Sequence, residues 1–257
     1  MDLNPAAGRN PLGGPIVHLD VTGSTNDRAR ELAAAGAPHG AVVVAEEQTA
    51  GRGRQGRTWT APRGRALTLS IVVRLGPEEG ELLPLGVALA VSEACERIAP
   101  VRCEVKWPND VWIDGRKLAG ILIEARPQEG WAAVGIGLNV DTAQDELAPE
   151  IRETATSVRI ASGAPADREA ALEALLERLA AWLVADRDAV LAAFRERDAL
   201  HGRRIGWTAG DRQLEGEAAG VDENGNLVVF TTDGEQLTLS AGEVHLVPKA
   251  PPELSGS

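Results

Sequence analysis

Apolar residues recur in short runs along residues 10–140, and glycine, proline or polar residues separate one run from the next. Several runs are rich in β-branched residues or alternate with polar residues. Alternation with a period of two is typical of strands, and short apolar runs between turn residues are typical of buried strands. The pattern therefore predicts strands over residues 16–20, 41–45, 66–75, 101–106, 111–113, 118–124 and 131–140.

Helical signals interrupt this series of strands and continue after it. Ser24-Thr25-Asn26-Asp27 provides N-cap side chains and Gly36 a stop, so a helix is expected to run through Ala35. The apolar-rich segment 84–99 predicts a second helix. Residues 167–200 carry leucines at helical spacing, and the same spacing assigns Trp182 to the core.

The pattern changes near residue 200. From Arg203 onward, short strands alternate with the turn sequences Asn224-Gly225 and Asp233-Gly234, which predicts a small β-barrel. We therefore predict an α+β fold with a larger domain over residues 15–200 and a barrel over residues 201–248. Residues 1–14 and 249–257 are predicted to be disordered tails.

Composition narrows the class of protein. No apolar stretch is long enough to span a membrane, and the N-terminal residues lack the pattern of a signal peptide. Cys95 and Cys103 are the only cysteines; they fit no metal-ligand spacing, and a chain of 257 residues needs no disulfide framework. The four histidines are scattered, which argues against a zinc site or a histidine-based triad. These features predict a cytoplasmic protein with reduced thiols.

One basic run stands out in a chain whose formal net charge is −12. Residues 51–59 read Gly-Arg-Gly-Arg-Gln-Gly-Arg-Thr-Trp, and residues 48–77 contain six arginines and no acid. Glycine lets backbone N–H groups approach a ligand closely, and arginine donates paired hydrogen bonds to phosphate or carboxylate oxygens. We therefore expect this segment to bind an anion, whereas the acidic balance of the whole chain argues against nucleic acid as the main partner.

The run has two other interpretations. Gly51, Gly53 and Gly56 have the G-x-G-x-x-G spacing of a dinucleotide-binding turn, which requires a helix directly afterwards. Pro62 and Gly64 follow instead, and then a predicted strand, so this interpretation is disfavoured. A solvated arginine-rich loop is the other alternative, although an exposed loop usually mixes charges of both signs.

Lysine is rare in this chain, since only three of its 26 basic residues are lysines. Lys106 and Lys117 lie within twelve residues of each other, which suggests a site that needs a compact ammonium group. Lys106 begins the turn sequence Lys-Trp-Pro-Asn-Asp, and Lys117 precedes an apolar strand. An ordinary loop and chance clustering are the alternatives.

Five blocks in a fixed order carry the most specific signal. They are Ser-Thr-Asn-Asp at 24–27, Glu-Gln-Thr-Ala-Gly-Arg-Gly-Arg-Gln-Gly-Arg-Thr-Trp at 47–59, Lys-Trp-Pro-Asn-Asp at 106–110, Arg-Lys-Leu-Ala-Gly-Ile-Leu at 116–122 and Gly-Ile-Gly-Leu-Asn-Val at 135–140. In these blocks the chain resembles the bacterial biotin–protein ligases. Its C-terminal β segment is similar to the SH3-like module of that family.

The resemblance implies a mixed β-sheet flanked by helices, as in class II aminoacyl-tRNA synthetases and biotin ligases, with a small SH3-like β-barrel. It implies an enzyme that joins biotin to ATP as biotinoyl-5′-AMP, releases pyrophosphate and transfers biotin to a lysine of a biotin carboxyl carrier domain of a carboxylase. Mg²⁺ is expected to arrive with ATP, without a metal site of the protein's own. Some members carry an N-terminal DNA-binding domain, and the residues before the first predicted strand are too few for one. We therefore expect a monofunctional ligase that contacts neither DNA nor a membrane.

The resemblance also implies which residues form the site. Biotin is expected to bind Ser24, Thr25, Asn26, Gln48, Arg52, Gly53, Arg54, Lys117 and Gly120. ATP and the adenylate are expected to bind Arg52, Arg54, Arg57, Trp59, Asn109, Lys117 and Asn139. Catalysis is expected to depend on Lys117, which bridges carboxylate and α-phosphate, on Arg54 in a closing loop, and on Asp110, which orients or deprotonates the incoming amine.

Three alternatives in function stay open. A lipoate– or octanoate–protein ligase shares the superfamily fold, although the arginine-rich loop together with Lys-Trp-Pro-Asn-Asp favours biotin. A non-catalytic nucleotide or anion sensor would not need Lys117 beside that loop. A nucleic-acid-binding protein is opposed by the net charge of −12. Exposed sheet edges would allow a homodimer.

Overall fold

The computed structural model describes residues 10–76, 80–209, 211–240, 242 and 244–247. A seven-stranded sheet forms the larger part of the fold, in the order β1-β2-β3-β7-β6-β5-β4. Its strands are β1 (Ile16–Thr22), β2 (Val42–Gln48), β3 (Ala66–Arg74), β4 (Glu104–Lys106), β5 (Asp110–Ile113), β6 (Arg116–Arg126) and β7 (Trp131–Asn139). Only β1 and β2 pair in parallel, so the sheet is mixed, as the sequence led us to expect.

Within the described residues, five α-helices accompany the sheet: α1 (Thr25–Ala34), α2 (Leu83–Ile98), α3 (Val158–Ser162), α4 (Arg168–Trp182) and α5 (Arg187–Arg195). α1 packs through Ala29 and Ala33 on one face of the sheet, where Val43 and Val72 lie. α2, α4 and α5 supply the core on the other face. Because both faces are covered, every residue of β3 except Arg74 is buried, which explains its nearly continuous apolar sequence.

The helical segment predicted over 167–200 is divided into two helices. Asp186 accepts a hydrogen bond from the amide of Ala189 and begins α5, so the chain turns between Trp182 and Arg187. Helix α3 was not predicted, and its N-cap Ser157 accepts a hydrogen bond from the amide of Ile160. The strand predicted to begin at residue 101 begins at Glu104 instead.

The N-terminal tail predicted over residues 1–14 is wrong for residues 10–14. The Asn10 side chain donates hydrogen bonds to the carbonyls of Gly14 and Gly40, at 2.7 and 2.8 Å, and thereby holds this segment against the start of β2. Residues 1–9 and the predicted tail at 249–257 lie outside the described residues.

A second, antiparallel sheet follows α5. It contains β8 (Arg204–Ala209), β9 (Arg212–Val221), β10 (Leu227–Thr231), β11 (Gln236–Leu239) and β12 (Val244–Leu246), in the order β11-β10-β9-β8-β12. The predicted turns are confirmed, with Gly225 and Gly234 in the left-handed region at φ 76° and 83°. An antiparallel β module is confirmed here, and among the described residues β11 and β12 do not pair to close it into a barrel.

The two sheets share one hydrophobic core, because Ile205, Trp207 and Leu227 of the second sheet belong to the same buried cluster as α2 and α4. The indole of Trp107 also donates a hydrogen bond of 2.9 Å to the carbonyl of Gly225. The turn that begins at Lys106 is therefore fastened to the C-terminal sheet. Among the described residues, no helix has the length and apolarity that a membrane span requires.

Candidate active site

A cleft of about 910 Å³, including the space at its mouth, opens on the sheet face that α1 covers. Beneath α1 this face carries Val72 and Ala133. Beyond the N-terminus of α1, the same faces of β3, β7 and β6 present small residues at the floor of the cleft: Ser70, Gly135, Gly137 and Gly120. The cleft is thus the part of the sheet that α1 does not fill.

Trp59 lies against two of these glycines. A methyl group added at Gly137 would come within 2.3 Å of Trp59 Cε2, and one added at Gly120 within 3.4 Å of Trp59 Cζ3. The indole therefore forms a wall of the cleft that requires glycine at position 137. Its Nε1 atom is buried and has no hydrogen-bond partner within the described part of the chain.

Hydrogen bonds orient the polar floor of the cleft. Gln48 Oε1 accepts from the Thr25 amide at 2.8 Å and from Thr25 Oγ1 at 3.0 Å. Because an amide N–H can only donate, Gln48 must present its oxygen to Thr25, and its Nε2 is left as a donor. Gln48 and Ser24 both line the cleft, so this end of the cleft offers donors to a ligand.

Asn26 was predicted to bind ligand, but its polar atoms already have protein partners. Its Oδ1 accepts from Ser70 Oγ at 2.7 Å, and its Nδ2 donates to Glu124 Oε2 at 2.8 Å and to the Leu122 carbonyl at 3.3 Å. A methyl group at Gly135 would approach Asn26 Oδ1 to 2.4 Å. Asn26 therefore joins α1 to β3 and β6 and supports the floor of the cleft.

The segment 51–59 forms a small hairpin over the cleft, which we call the hairpin 51–59. The amide of Trp59 donates to the Gly51 carbonyl at 3.0 Å, and that of Gly53 to the Arg57 carbonyl at 2.7 Å. Gln55 and Gly56 turn the chain at φ 54° and 74°. No helix lies between this hairpin and β3, so the rejection of a dinucleotide-binding turn is confirmed.

The arginines of the basic run do not act as one group. Arg52, Arg54 and Arg57 line the cleft. The other three have partners from distant parts of the sequence: Arg63 pairs with Asp20, Arg65 with Asp141, and Arg74 with the carbonyls of Ala33 and Ala37. The expectation that all of segment 48–77 serves an anion is therefore limited to the hairpin.

Arg54 connects three parts of the fold. Its Nη1 donates to Asn109 Oδ1 at 2.9 Å, and its Nη2 donates to the Gly242 carbonyl at 3.2 Å. Asn109 belongs to the turn between β4 and β5, and Gly242 precedes β12. Arg54 therefore fastens the hairpin to the turn between β4 and β5 and to the segment before β12.

The two neighbouring lysines of the sequence both line the cleft. Lys117 Nζ lies 2.7 Å from Asp110 Oδ1. The main chain of Lys117 also pairs with segment 154–156, since its amide donates to the Thr154 carbonyl and its carbonyl accepts from the Thr156 amide. These contacts place one ammonium group at a defined position beside one carboxylate.

Asn139 is the one predicted site residue that the cleft lining does not include. It is buried, and its Nδ2 donates to the Thr156 carbonyl at 3.0 Å. Since Thr156 also pairs with Lys117, Asn139 supports the main chain beside that lysine. The contact between Asn139 and the nucleotide stays a prediction, and it would use the Oδ1 atom of Asn139.

Sequence reasoning placed Lys106 and Trp107 in a candidate site without assigning them a ligand, and it assigned no individual role to several other residues that line the cleft: Gln55, Thr58, Ser70, Pro108, Ile121, Leu122, Gly135, Ile136, Gly137, Gly242 and Val244. Some had a signal, since the paired glycines of β7 allow close approach and Ser70 falls on the same face of β3 as Val72. Gly242 and Val244 had none, because they come from the second sheet.

The charge of the cleft is opposite to that of the chain. Arg52, Arg54, Arg57, Lys106 and Lys117 line it, with Asp110 as the acid among the lining residues. The chain as a whole has a formal net charge of −12. Within the described residues, no three His, Cys, Asp or Glu side chains are placed to hold a metal ion. The arrangement is suited to stabilising a negatively charged ligand.

Comparisons with known proteins agree with this geometry. Residues 19–141 match the Biotin/lipoate A/B protein ligase family, and residues 200–247 match the Biotin protein ligase C terminal domain. The chain is 37% identical over 244 residues to a biotin--[acetyl-CoA-carboxylase] ligase of Mycobacterium tuberculosis, covering 89% of each. It is 37% identical over 239 residues to the ligase of that name from Paracoccus denitrificans, covering 88% of this chain and 98% of that one.

The chain is also similar to a relative named for two activities and to a solved structure. The chain is 34% identical to a bifunctional ligase/repressor of Bacillus spizizenii over 239 residues, which are 90% of this chain and 74% of that protein. The biotin protein ligase of Aquifex aeolicus in complex with biotin and ATP superposes with a TM-score of 0.79 at 28% identity, over 91% of this chain and 99% of that one.

Proposed function

Because the chain belongs to the biotin protein ligase family, we propose that it is an ATP-dependent ligase that attaches biotin to a carboxyl carrier domain of a biotin-dependent carboxylase. The observation that carries this proposal is the cleft itself. It brings the donor-rich floor at Thr25 and Gln48, the basic hairpin 51–59 and Lys117 into one cavity. These parts come from three separate blocks of the sequence, at 24–27, 47–59 and 116–122.

The first step joins two anions. A biotin carboxylate oxygen attacks the α-phosphorus of ATP, the bond from that phosphorus to the bridging oxygen breaks, and pyrophosphate leaves. Since carboxylate and triphosphate repel each other, the site must supply positive charge at the point where they meet. We assign this task to Lys117, with Arg54 and Arg57 of the hairpin beside it.

The polar groups of the cleft divide between the two substrates. The donors of Ser24 and Gln48 suit the carbonyl of the ureido ring of biotin, and Thr25 and Asn26 hold that end in place. Gly53 and Gly120 allow the backbone to approach the ligand. The indole N–H of Trp59 has no partner among the described residues, which suits an oxygen of the adenylate.

The second step transfers the acyl group. The neutral amine of the acceptor lysine attacks the acyl carbon, the bond to the phosphate oxygen breaks, and AMP leaves. Asp110 lies beside Lys117 and is placed to orient the incoming amine or to take its proton. A closed hairpin excludes water from the mixed anhydride until the acceptor arrives.

Mg²⁺ is proposed to enter with ATP. The described residues offer no cluster of three acidic or histidine ligands, Asn109 Oδ1 accepts from Arg54, and Asp110 is paired with Lys117. This donor set suits an ion that is held mainly by the phosphates of its nucleotide. When bound, the ion would neutralise charge on those phosphates.

Release of pyrophosphate tests the function directly. We expect the purified chain to release pyrophosphate from ATP when biotin is added and to label a carrier domain when one is supplied. Lipoate should give neither. Pyrophosphate release with lipoate but not with biotin would favour the lipoate ligase, and nucleotide binding without either reaction would favour a non-catalytic sensor.

The remaining partners are proposals with their own tests. We place the enzyme in the cytoplasm, where ATP and the carboxylase are available. The net charge of −12 opposes DNA, so we expect no operator-specific complex in a gel shift. A homodimer through the exposed edge at β1 would be revealed by sedimentation velocity.

The glycine at position 137 provides a further test. Gly137→Ala is expected to push Trp59 out of the cleft wall and to weaken biotin binding about tenfold, since overpacking at such a contact costs about 1–3 kcal/mol. Isothermal calorimetry measures the change. Gly23→Ala is the matched control, because a methyl group there meets no atom within 4 Å. If Gly137→Ala bound biotin with the affinity of the parent, Trp59 would not belong to the binding site.

A further inference from the structure

The guanidinium of Arg52 is bound by carboxylates of this chain. Its Nη1 donates to Asp27 Oδ2 at 2.7 Å and its Nη2 to Asp27 Oδ1 at 2.8 Å, and Nη2 also donates to Glu124 Oε2 at 3.1 Å. Asp27 lies in the first turn of α1 and Glu124 in β6. We call Arg52, Asp27 and Glu124 the Arg52 anchor. Both terminal nitrogens of Arg52 are therefore occupied before any ligand is considered.

A second arginine balances the charge of this group. Arg30 Nη1 lies 3.5 Å from Asp27 Oδ1 and 3.4 Å from Glu124 Oε1. Two cations and two anions thus form one neutral cluster. If the hairpin 51–59 lifts away with Arg52, Arg30 alone remains with both carboxylates, and the uncompensated negative charge attracts Arg52 back.

The cluster is continuous with the floor of the cleft. Glu124 Oε2 also accepts from Asn26 Nδ2, Asn26 accepts from Ser70, and Ser70 Oγ lies 2.8 Å from Thr25 Oγ1. The amide of Thr25 in turn donates to Gln48 Oε1 at 2.8 Å. The anchor therefore lies at the end of the cleft assigned to the biotin ring, whereas Arg54 closes the hairpin at Asn109 and Gly242.

Arg52 and Asp27 each favour the charged form of the other. The hydrogen bond from Arg52 lowers the pKa of Asp27 below its usual value, and the hydrogen bond to Asp27 raises the pKa of Arg52. Bidentate arginine–carboxylate pairs in a network are the kind of surface ion pair that contributes measurably.

We propose that Arg52 is a positioning residue that docks the hairpin 51–59 onto α1 and β6, and that Asp27 and Glu124 form its docking site. Arg52 then holds the main chain of the hairpin over bound biotin, and its charge does not serve the phosphates. The proposal rests on the proposed function for its kinetic test, and the hairpin itself can be probed without any ligand.

The decisive variant is Asp27→Asn, because the two roles of Arg52 predict different effects on the rate at which the adenylate is released. If Arg52 neutralises the adenylate, removal of a nearby negative charge should leave the adenylate bound at least as tightly. If Arg52 docks the hairpin, the loss of Asp27 should release biotinoyl-adenylate about fivefold faster. Arg52→Gln should act in the same direction, and the double variant should be no worse than Arg52→Gln alone. Release is followed after a chase with unlabelled biotin and ATP.

Two controls separate the outcomes. Asp20→Asn removes the same charge from an exposed pair with Arg63 near the other end of the loop, and it should retain the adenylate like the parent. Without ligand, trypsin should cleave the hairpin faster in Asp27→Asn than in the parent or in Asp20→Asn. An Asp27→Asn variant with parental release and parental cleavage overturns the anchor. A parent chain that forms no biotinoyl-adenylate overturns the proposed function, and the trypsin comparison then decides the anchor by itself.

Discussion

Replacement of Lys117 by alanine is expected to reduce biotinoyl-adenylate formation about a thousandfold while the protein stays folded. One pair of unit charges at 4 Å contributes about 4 kcal/mol at an effective dielectric near 20, and about 1.4 kcal/mol corresponds to a factor of ten in rate. The Nζ atom of Lys117 lies 2.7 Å from Asp110 Oδ1. Biotin-dependent exchange of labelled pyrophosphate into ATP measures the loss.

The experiment must distinguish the loss of the Lys117 ammonium group from the effect of leaving Asp110 without its partner. Lys117→Ala with Asp110→Asn removes both partners, and its adenylate formation should stay as low as in Lys117→Ala. Arg97→Ala removes a positive charge from an exposed pair with Glu177 between α2 and α4, and should leave the rate unchanged. The fold is checked by thermal unfolding, since the backbone bonds of residue 117 do not need its side chain. Recovery of activity in the double variant would contradict the role assigned to Lys117.

Replacement of Arg54 by alanine is expected to let the adenylate escape, so that lysines of unrelated proteins become biotinylated. The variant loses the hydrogen bonds that Arg54 donates to Asn109 and to the Gly242 carbonyl, which close the hairpin 51–59 over the cleft. Hydrogen bonds from a charged donor contribute about 1.5–3 kcal/mol, so release should be about tenfold faster or more. Streptavidin detection of biotin on a bystander protein without a carrier domain measures the escape.

Arg63→Ala is the matched control for Arg54→Ala. Arg63 lies in the same loop and pairs with Asp20 and Glu47 outside the cleft lining. This variant should retain the adenylate and label only the carrier domain. An Arg54→Ala variant that keeps biotinoyl-adenylate as long as the parent would show that the hairpin is held closed by other contacts.

Most elements of the fold could be predicted because each depends on local pattern. β3 alternates over residues 66–74 and has the predicted bounds within one residue, and α2 differs from its prediction by one residue at each end. Asp186, which divides the last helical segment, is a good N-cap residue, but the leucine spacing on either side concealed the break. The C-terminal strands and turns were predictable in the same way, whereas pairing between β11 and β12 is a long-range matter that no local pattern reports.

The candidate site divides in the same way. Motif order was sufficient to identify half of the residues that line the cleft, since those residue types serve one chemistry. The partners of each arginine were not predictable: Arg52 pairs with the carboxylates of Asp27 and Glu124, which are 25 and 72 residues away. The basic run is free of acids in the sequence, yet in space its charges are partly neutralised by acids from other elements.

The sequence by itself determined the family, most of the elements and half of the residues that line the cleft, because local periodicity and five ordered motifs carry that information. The tertiary structure alone decided that Asn139 supports Lys117 from outside the cleft, that Arg52 docks on α1 and β6, and that Gly242 of the second sheet receives Arg54. These contacts join residues far apart in the chain. They depend on the packing of whole elements, which residue types and spacing do not specify.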